Sequence, residues 1–384
     1  MDTVRFSPFQ IEIPNVTLDR IVGRISDYRW FPAPEGEGWE YGTNTNYLRE
    51  LCNHWLNDYN WREHEAILNR FPQFIAPIDG IDIHYIHVVG EADGQRPLIL
   101  VHGWPGSFYE FWNSIEQLAF PSRFGGDPKD AFDLVIPSLP GYGFSGKPRK
   151  PIGQRATALL FDKLMREVLG YHSYVAQGGD WGAVVCTHLA LHCDACRALH
   201  INSVPLKPSA VVPKTDEEQQ WLEKTLNSRE AEAGYSIVQT TKPQSLAFAF
   251  MDSPVGVAAW ILEKFKTWSD LANGDLETVY SKSQLLTNTM LYIVTDSFAT
   301  AAWYYRGRLD EGGIGLADRR IEKPTGIAAG PHVSYAATPP RSLCERIYNV
   351  VHWEVIEPGG HFLAMEQPDA FVADVRRFGR TIDY

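Results

Sequence analysis

Tyr174-Val175-Ala176-Gln177-Gly178-Gly179-Asp180-Trp181-Gly182-Ala183-Val184-Val185-Cys186 is the stretch whose reading decides the fold. An apolar run, two glycines and a second apolar run read as a buried strand, a tight turn and the start of a helix. This is the layout G-x-nucleophile-x-G, in which a strained turn exposes one side chain at the top of a sheet. The exposed residue here is Asp180. A carboxylate is ionised at neutral pH, attacks carbon to give an ester, and is regained only when that ester is hydrolysed. Such an elbow suits an electrophilic sp3 carbon. Two turn glycines before an aspartate also describe an ordinary helix N-cap, so the rest of the chain has to decide between the two.

Upstream, Pro97-Leu98-Ile99-Leu100-Val101 is a continuous apolar run, as expected of a strand covered on both faces of a parallel sheet. It runs into His102-Gly103-Trp104-Pro105-Gly106-Ser107. In hydrolases with an elbow, a loop of this kind supplies one oxyanion-hole amide and the residue after the nucleophile supplies the other. That assigns the backbone amides of Trp104 and Trp181, against the simpler reading of a Gly-Pro turn. Asp133–Pro137 and Ala198–Asn202 read as further strands, and about 156–169 as a helix between them. Downstream, strands at 325–328 and 353–356 precede Glu357-Pro358-Gly359-Gly360-His361-Phe362 and a last helix after Pro368. A histidine on a glycine-rich loop after the last strand stands where the elbow's base belongs. The alternation of strands and helices predicts an α/β fold with a doubly wound, mostly parallel sheet, its site at the carboxyl ends of the strands.

Two regions interrupt that rhythm. Before residue 96, Leu18, Ile21, Val22 and Ile25, then Leu48, Leu51, Cys52, Trp55 and Leu56, recur at helical spacing. They predict two amphipathic helices, with a further turn or two through Ala66-Ile67-Leu68 and a strand over Ile81–Val88, in a region that wraps the core. Residues 204–320 carry apolar helical runs such as Val257–Leu262 and Leu285–Tyr292, and predict a helical lid over the strand ends. The expected division is 1–95 for the wrapping region, 96–203 and 321–384 for the two parts of the core, and 204–320 for the lid.

In a chain of 384 residues, 44% hydrophobic and 12% aromatic content supports a large core and excludes global disorder. A net charge of −12 argues against nucleic acid and anionic membranes as partners. Without a secretory leader, a membrane anchor or an apolar run of eighteen residues, the expectation is a soluble cytoplasmic protein. Five cysteines, an odd number, fit free thiols in a reducing compartment. A metal site could be drawn from His188, His192, Cys193, Cys196 and His200, but thiols and imidazoles at a helix end and a strand account for them as well. No metal and no cofactor are expected, and a homodimer is left open.

With these pieces in place the chain resembles, over nearly its whole length, the epoxide hydrolases of the α/β-hydrolase superfamily, in their microsomal-type branch. The marks are His102-Gly103-Trp104-Pro105-Gly106, Gly178-Gly179-Asp180-Trp181-Gly182, Asp252-Ser253-Pro254-Val255-Gly256 and Gly359-Gly360-His361-Phe362. The resemblance implies a small-molecule epoxide substrate, ring opening by Asp180 to an ester, and water activation by His361. It also implies two lid tyrosines that hydrogen-bond the epoxide oxygen. By their surroundings these are Tyr235 and Tyr305, with Tyr304 competing for the second place.

One part of the pattern is absent. The family places a carboxylate that orients the histidine near Val333 or Ser334, yet no Asp or Glu occurs between Lys323 and Cys344, nor between Asn202 and Asp216. Glu357 and Asp296 are the substitutes the sequence offers. The gap keeps two other readings open: a cyclase, in which the substrate's own nucleophile attacks the epoxide, and a silent binding protein. Haloalkane dehalogenation shares the aspartate elbow but has no use for the tyrosine pair.

Overall fold

Apolar runs too short to be helices, bounded by Gly or Pro, form the centre of a single sheet in the computed structural model, which describes residues 6–35, 38–94, 96–272, 274–313, 319–330 and 337–383. Among the described residues the strands are β1 (Ser7–Phe9), β2 (Gln73–Ile78), β3 (Ile81–Val88), β4 (Pro97–Val101), β5 (Asp133–Pro137), β6 (Tyr174–Gly178), β7 (Cys196–Ile201), β8 (Ile321–Ala329) and β9 (Tyr348–Val355). Their order is β1-β2-β3-β5-β4-β6-β7-β8-β9. The first three strands run antiparallel to their neighbours, and every pair from β5 to β9 is parallel. All residues of β4, β5 and β6 are buried, because helices cover both faces at the centre of the sheet.

The N-terminal helices are Asn15–Ser26, Thr45–Asn57 and Trp61–Leu68. Ile21 and Ile25, then Leu48, Leu51, Cys52 and Trp55, are buried as their spacing predicts, whereas Val22 and Leu56 lie on exposed flanks. Fully burying a side chain such as Leu51 contributes about 1.5–3 kcal/mol. The region is less helical than its sequence suggests. β1 and β2 were not expected from the sequence; each carries a proline, Pro8 and Pro77. β1 pairs only with residues 73–75 of β2, so Pro77 falls where the strand has become an edge and its missing N–H costs no ladder bond to β1.

The helix predicted before β6 is α-helical over Gln154–Lys163 and ends in a π-turn, Leu164–Val168. Between β7 and β8 the longer helices are Asp216–Glu232, Gly234–Thr241, Pro243–Phe250, Pro254–Trp268, Lys282–Val294 and Phe298–Asp310. They are tied to the loops at the carboxyl ends of β4 and β5. Asn288 donates to the Pro105 carbonyl at 2.8 Å, Tyr292 to the Gly106 carbonyl at 2.5 Å, and Thr300 to that of Gly141. The N-terminal region contacts these helices through Tyr59 with Thr287, His54 with Ser283, and the ion pairs Arg24–Asp252 and Arg20–Asp296. Among the described residues no helix is long and apolar enough to cross a membrane.

Candidate active site

The turn after β6 is a backbone solution to close packing. Asp180 adopts φ +45°, a conformation that costs a non-glycine residue on the order of 1–3 kcal/mol and persists only where the surroundings enforce it. Two glycines show the enforcement. A Cβ on Gly182 would stand 1.8 Å from the Val101 carbonyl oxygen, and one on Gly103 would stand 2.4 Å from Asp180 Cβ. The elbow helix, Asp180–His192, is therefore pressed onto β4, and the His102–Ser107 loop onto Asp180.

The Asp180 carboxylate is held on one side. The Trp104 backbone N–H donates to Oδ1 at 2.9 Å, and the Asp180 N–H donates to the Ser203 hydroxyl oxygen, also at 2.9 Å. Trp181, the next residue, lies in the first turn of the helix, where amides have no intrahelical partner. His102 shapes the loop from beneath. Its Nε2 accepts from the Leu139 N–H at 3.1 Å, so Nδ1 carries the proton and donates to the Gly103 carbonyl at 3.0 Å. Burial pushes this imidazole down to about 4, which keeps it neutral.

His361 approaches from the other side, with Nε2 3.4 Å from Asp180 Oδ2. Its backbone N–H donates to the Trp268 carbonyl at 3.0 Å, and its ring lies 4.9 Å from the Trp268 ring. The position near Val333 and Ser334 lies outside the described residues. Of the two substitutes, Glu357 is exposed, and Asp296 pairs at the surface with Arg20 at 3.6 Å. A buried carboxyl group, Glu366, lies near His361, five residues on. Its Oε1 accepts from the Phe362 N–H at 2.8 Å and its Oε2 from the Asp270 N–H at 2.9 Å. Burial pushes Glu366 up to about 7, while those amides and the positive charge of His361 pull it down. Glu110, just after the His102–Ser107 loop, is pushed up to about 8 by burial, with the charge of Asp180 adding to the effect.

Both expected tyrosines join this group. The Tyr235 ring stacks on Trp104 at 5.0 Å, the Tyr305 ring meets Trp181 edge-on at 4.7 Å, and the two phenols lie 5.8 Å apart between centroids. Tyr304 points elsewhere and donates to Thr157 at 2.8 Å. Lys264 lies 4.8 Å from the Tyr235 ring centroid and is itself paired with Glu232 and Glu263. Asp180, His361, Tyr235 and Tyr305 line one cavity of about 110 Å³. Ser203, Trp221, Arg229, Ser236 and Arg308 line it too, and sequence reasoning did not find them. For Arg308 a signal existed, since it follows Tyr305 by three residues on one helix and so shares its face.

The cysteine and histidine cluster resolves into structural roles. His188 and His192 stack on one another, and His200 pairs with buried Asp374 at 3.0 Å. Among the described residues no group of three or more such side chains could hold a metal ion.

Comparison with known proteins places these features in context. Residues 6–111 match the family described as "Epoxide hydrolase N terminus" and residues 96–368 the family described as "alpha/beta hydrolase fold". Epoxide hydrolase 1 of Oryctolagus cuniculus is 35% identical over 401 residues, covering 97% of this chain and 88% of that one. Juvenile hormone epoxide hydrolase 2 of Ctenocephalides felis is 34% identical over 396 residues, covering 96% and 84%. Among solved structures, juvenile hormone epoxide hydrolase from the silkworm Bombyx mori superposes with a TM-score of 0.87 at 32% identity, covering 98% of this chain and 95% of that one.

Proposed function

The chain belongs to the epoxide hydrolase family, hydrolases of the α/β-hydrolase fold that act on the ether bond of an epoxide, and we propose that it works through an ester on Asp180 and releases a vicinal diol. The observation that carries this reading is the convergence of Asp180, His361, Tyr235 and Tyr305 on one cavity, with Asp180 Oδ1 already hydrogen-bonded to the Trp104 amide.

In the first step Asp180 Oδ2, the oxygen not held by Trp104, attacks an epoxide carbon. The C–O bond breaks, and the alkoxide takes a proton from Tyr235 or Tyr305. Phenols suit this task, since they donate a hydrogen bond and remain protonated at neutral pH. The Lys264 cation over the Tyr235 ring strengthens that donor further. In the second step His361 Nε2 takes a proton from water as the water oxygen attacks Cγ of Asp180. Charge collects on Oδ1, where the Trp104 and Trp181 amides receive it. Collapse breaks the Cγ–Oδ2 bond, the departing oxygen takes the proton of the hydroxyl added to Cγ, which leaves the diol and the carboxylate, and the proton on His361 returns to the tyrosine.

Glu366 stands where a positive imidazole needs negative charge behind it. Buried among amide donors, it becomes anionic as the pH rises through about 7, and it takes over part of the work of the absent orienting acid. The cyclase and silent-binder readings rest on the acid-free 323–344 segment alone.

A single turnover in ¹⁸O-water tests the route. The expected result is one ¹⁸O in the Asp180 carboxylate by peptide mass and none in the first-turnover diol, with Asp180→Asn losing diol formation by about 10⁴ or more. Label in the diol on the first turnover would mean direct attack by water and would overturn the ester.

A further inference from the structure

The reacting groups occupy only part of the cavity, and the described residues of the remaining wall include two arginines, Arg229 and Arg308. On the Phe298–Asp310 helix, Arg308 lies one turn after Tyr305, its guanidinium carbon 5.2 Å from the Trp181 ring centroid. On the Asp216–Glu232 helix, Trp221, Thr225 and Arg229 follow one another at intervals of four, which puts all three on one face, and all three line the cavity. Ser203 and Ser236 add hydroxyl donors. Among the described lining residues the only carboxylate is the nucleophile, Asp180.

Several arginines in this molecule find acids, and others, such as Arg96 and Arg376, donate to backbone carbonyls. Arg306 pairs with Asp310, Arg346 with Glu218 and Arg380 with Asp130. Arg308 is half-buried and has no ion pair among the described residues. Beside Trp181, its guanidinium has no hydrogen bond among the described residues. A planar fork matches a carboxylate in two parallel hydrogen bonds. In a chain of net charge −12, a cationic wall beside an anionic nucleophile is a local reversal of sign. A neutral apolar epoxide would have no use for it.

We propose that the substrate is an epoxide bearing a carboxylate, held by Arg308, so that the epoxide ring lies between Asp180 and the tyrosine pair. The proposal rests on the epoxide reading above and narrows it to epoxy acids. The cation has a second use, since it offsets the repulsion between an anionic substrate and the Asp180 carboxylate. If Arg308 merely covered Trp181 as a cation–π lid, charge on the substrate would make no difference.

The test compares 5,6-epoxyhexanoate with its methyl ester and its primary amide, and separately measures calorimetric binding of hexanoate and hexanamide, which cannot react. The expected result is a kcat/KM for the acid about 10- to 100-fold above that for ester and amide, the range of a charge-assisted bidentate contact. The ratio should narrow with added salt, fall toward one in Arg308→Gln, and recover in part in Arg308→Lys, which restores the charge without the fork. Hexanoate should bind at least 10-fold more tightly than hexanamide, and Arg308→Gln should remove the difference while its melting temperature shows it is folded. Equal turnover of acid, ester and amide, with hexanoate and hexanamide bound alike, would overturn the carboxylate site and leave epoxide opening intact. Arg308-dependent hexanoate binding without turnover of any epoxide would support the carboxylate site and refute the epoxide reading instead.

Discussion

Asp180 and His361 face each other across 3.4 Å but are held by opposite kinds of structure. Around Asp180 the restraints are backbone: a left-handed turn, glycines packed against carbonyls, and the amide of Trp104. Around His361 they are assembled from distant segments: the Trp268 carbonyl and ring from the lid, the Asp270 amide, and the buried Glu366. Backbone restraints are steric and tolerate almost nothing. Assembled restraints are electrostatic and graded, so the two halves of the site should fail differently.

The largest expected effect lies on the nucleophile side. Gly182→Ala places a methyl 1.8 Å from the Val101 carbonyl oxygen, a contact no rotamer can relieve because backbone stands on both sides. Overpacking typically costs about 1–3 kcal/mol, and this overlap exceeds an ordinary one, so loss of folded protein is expected. Gly23→Ala in the Asn15–Ser26 helix is the matched control. A Cβ there meets nothing within 4 Å, and the exchange should stabilise by about 0.4–1 kcal/mol. Thermal unfolding of the pair decides the point, and a Gly182→Ala protein melting like its parent would remove the steric account of the elbow.

On the base side the prediction is kinetic. Glu366→Gln keeps the shape of the side chain and one acceptor for the Phe362 amide but removes the charge behind His361. Ester hydrolysis should slow about 10- to 100-fold, a fraction of the roughly 10²–10⁴ that general-base catalysis supplies, while ester formation at Asp180 hardly changes. Intact-protein mass spectrometry would then show the ester accumulating at steady state. Slowing of both steps alike would assign Glu366 to loop shape rather than to charge.

This difference between the halves also explains what the sequence disclosed. The turn at Asp180, the His102–Ser107 loop beside it, the sheet that carries them and the position of His361 were legible, because each depends on glycines and apolar runs that act over a few residues. Tyr305 was separable from Tyr304 only in three dimensions, since both lie on one helix and only the direction of each ring decides which one reaches the cavity. That Glu366 lies beside His361, and that Arg308 and Arg229 line the cavity, was not legible. Their positions come from which segments pack together, and a glutamate or arginine on a helix reads in sequence as solvated surface. β1 and β2 were missed because a proline looks the same in a loop as on an edge strand.

The smallest expected effect concerns Glu110, which sits on the backbone-built side yet is electrostatic in character. An exposed glutamate loses its proton near 4.5, whereas burial beside Asp180 keeps Glu110 protonated up to about 8. Between those values the folded chain binds more protons than the unfolded one, so stability falls as pH rises across the window, and the loss is complete above about 8. Glu110→Gln mimics the protonated side chain at every pH and cannot ionise. Its melting temperature should match the parent near pH 5 and exceed it near pH 8, so that the two curves diverge with rising pH. Parallel curves across that range would show that Glu110 ionises in place, screened by the Gly103 amide that already opposes its burial, and the wall behind the nucleophile would then be charged rather than neutral.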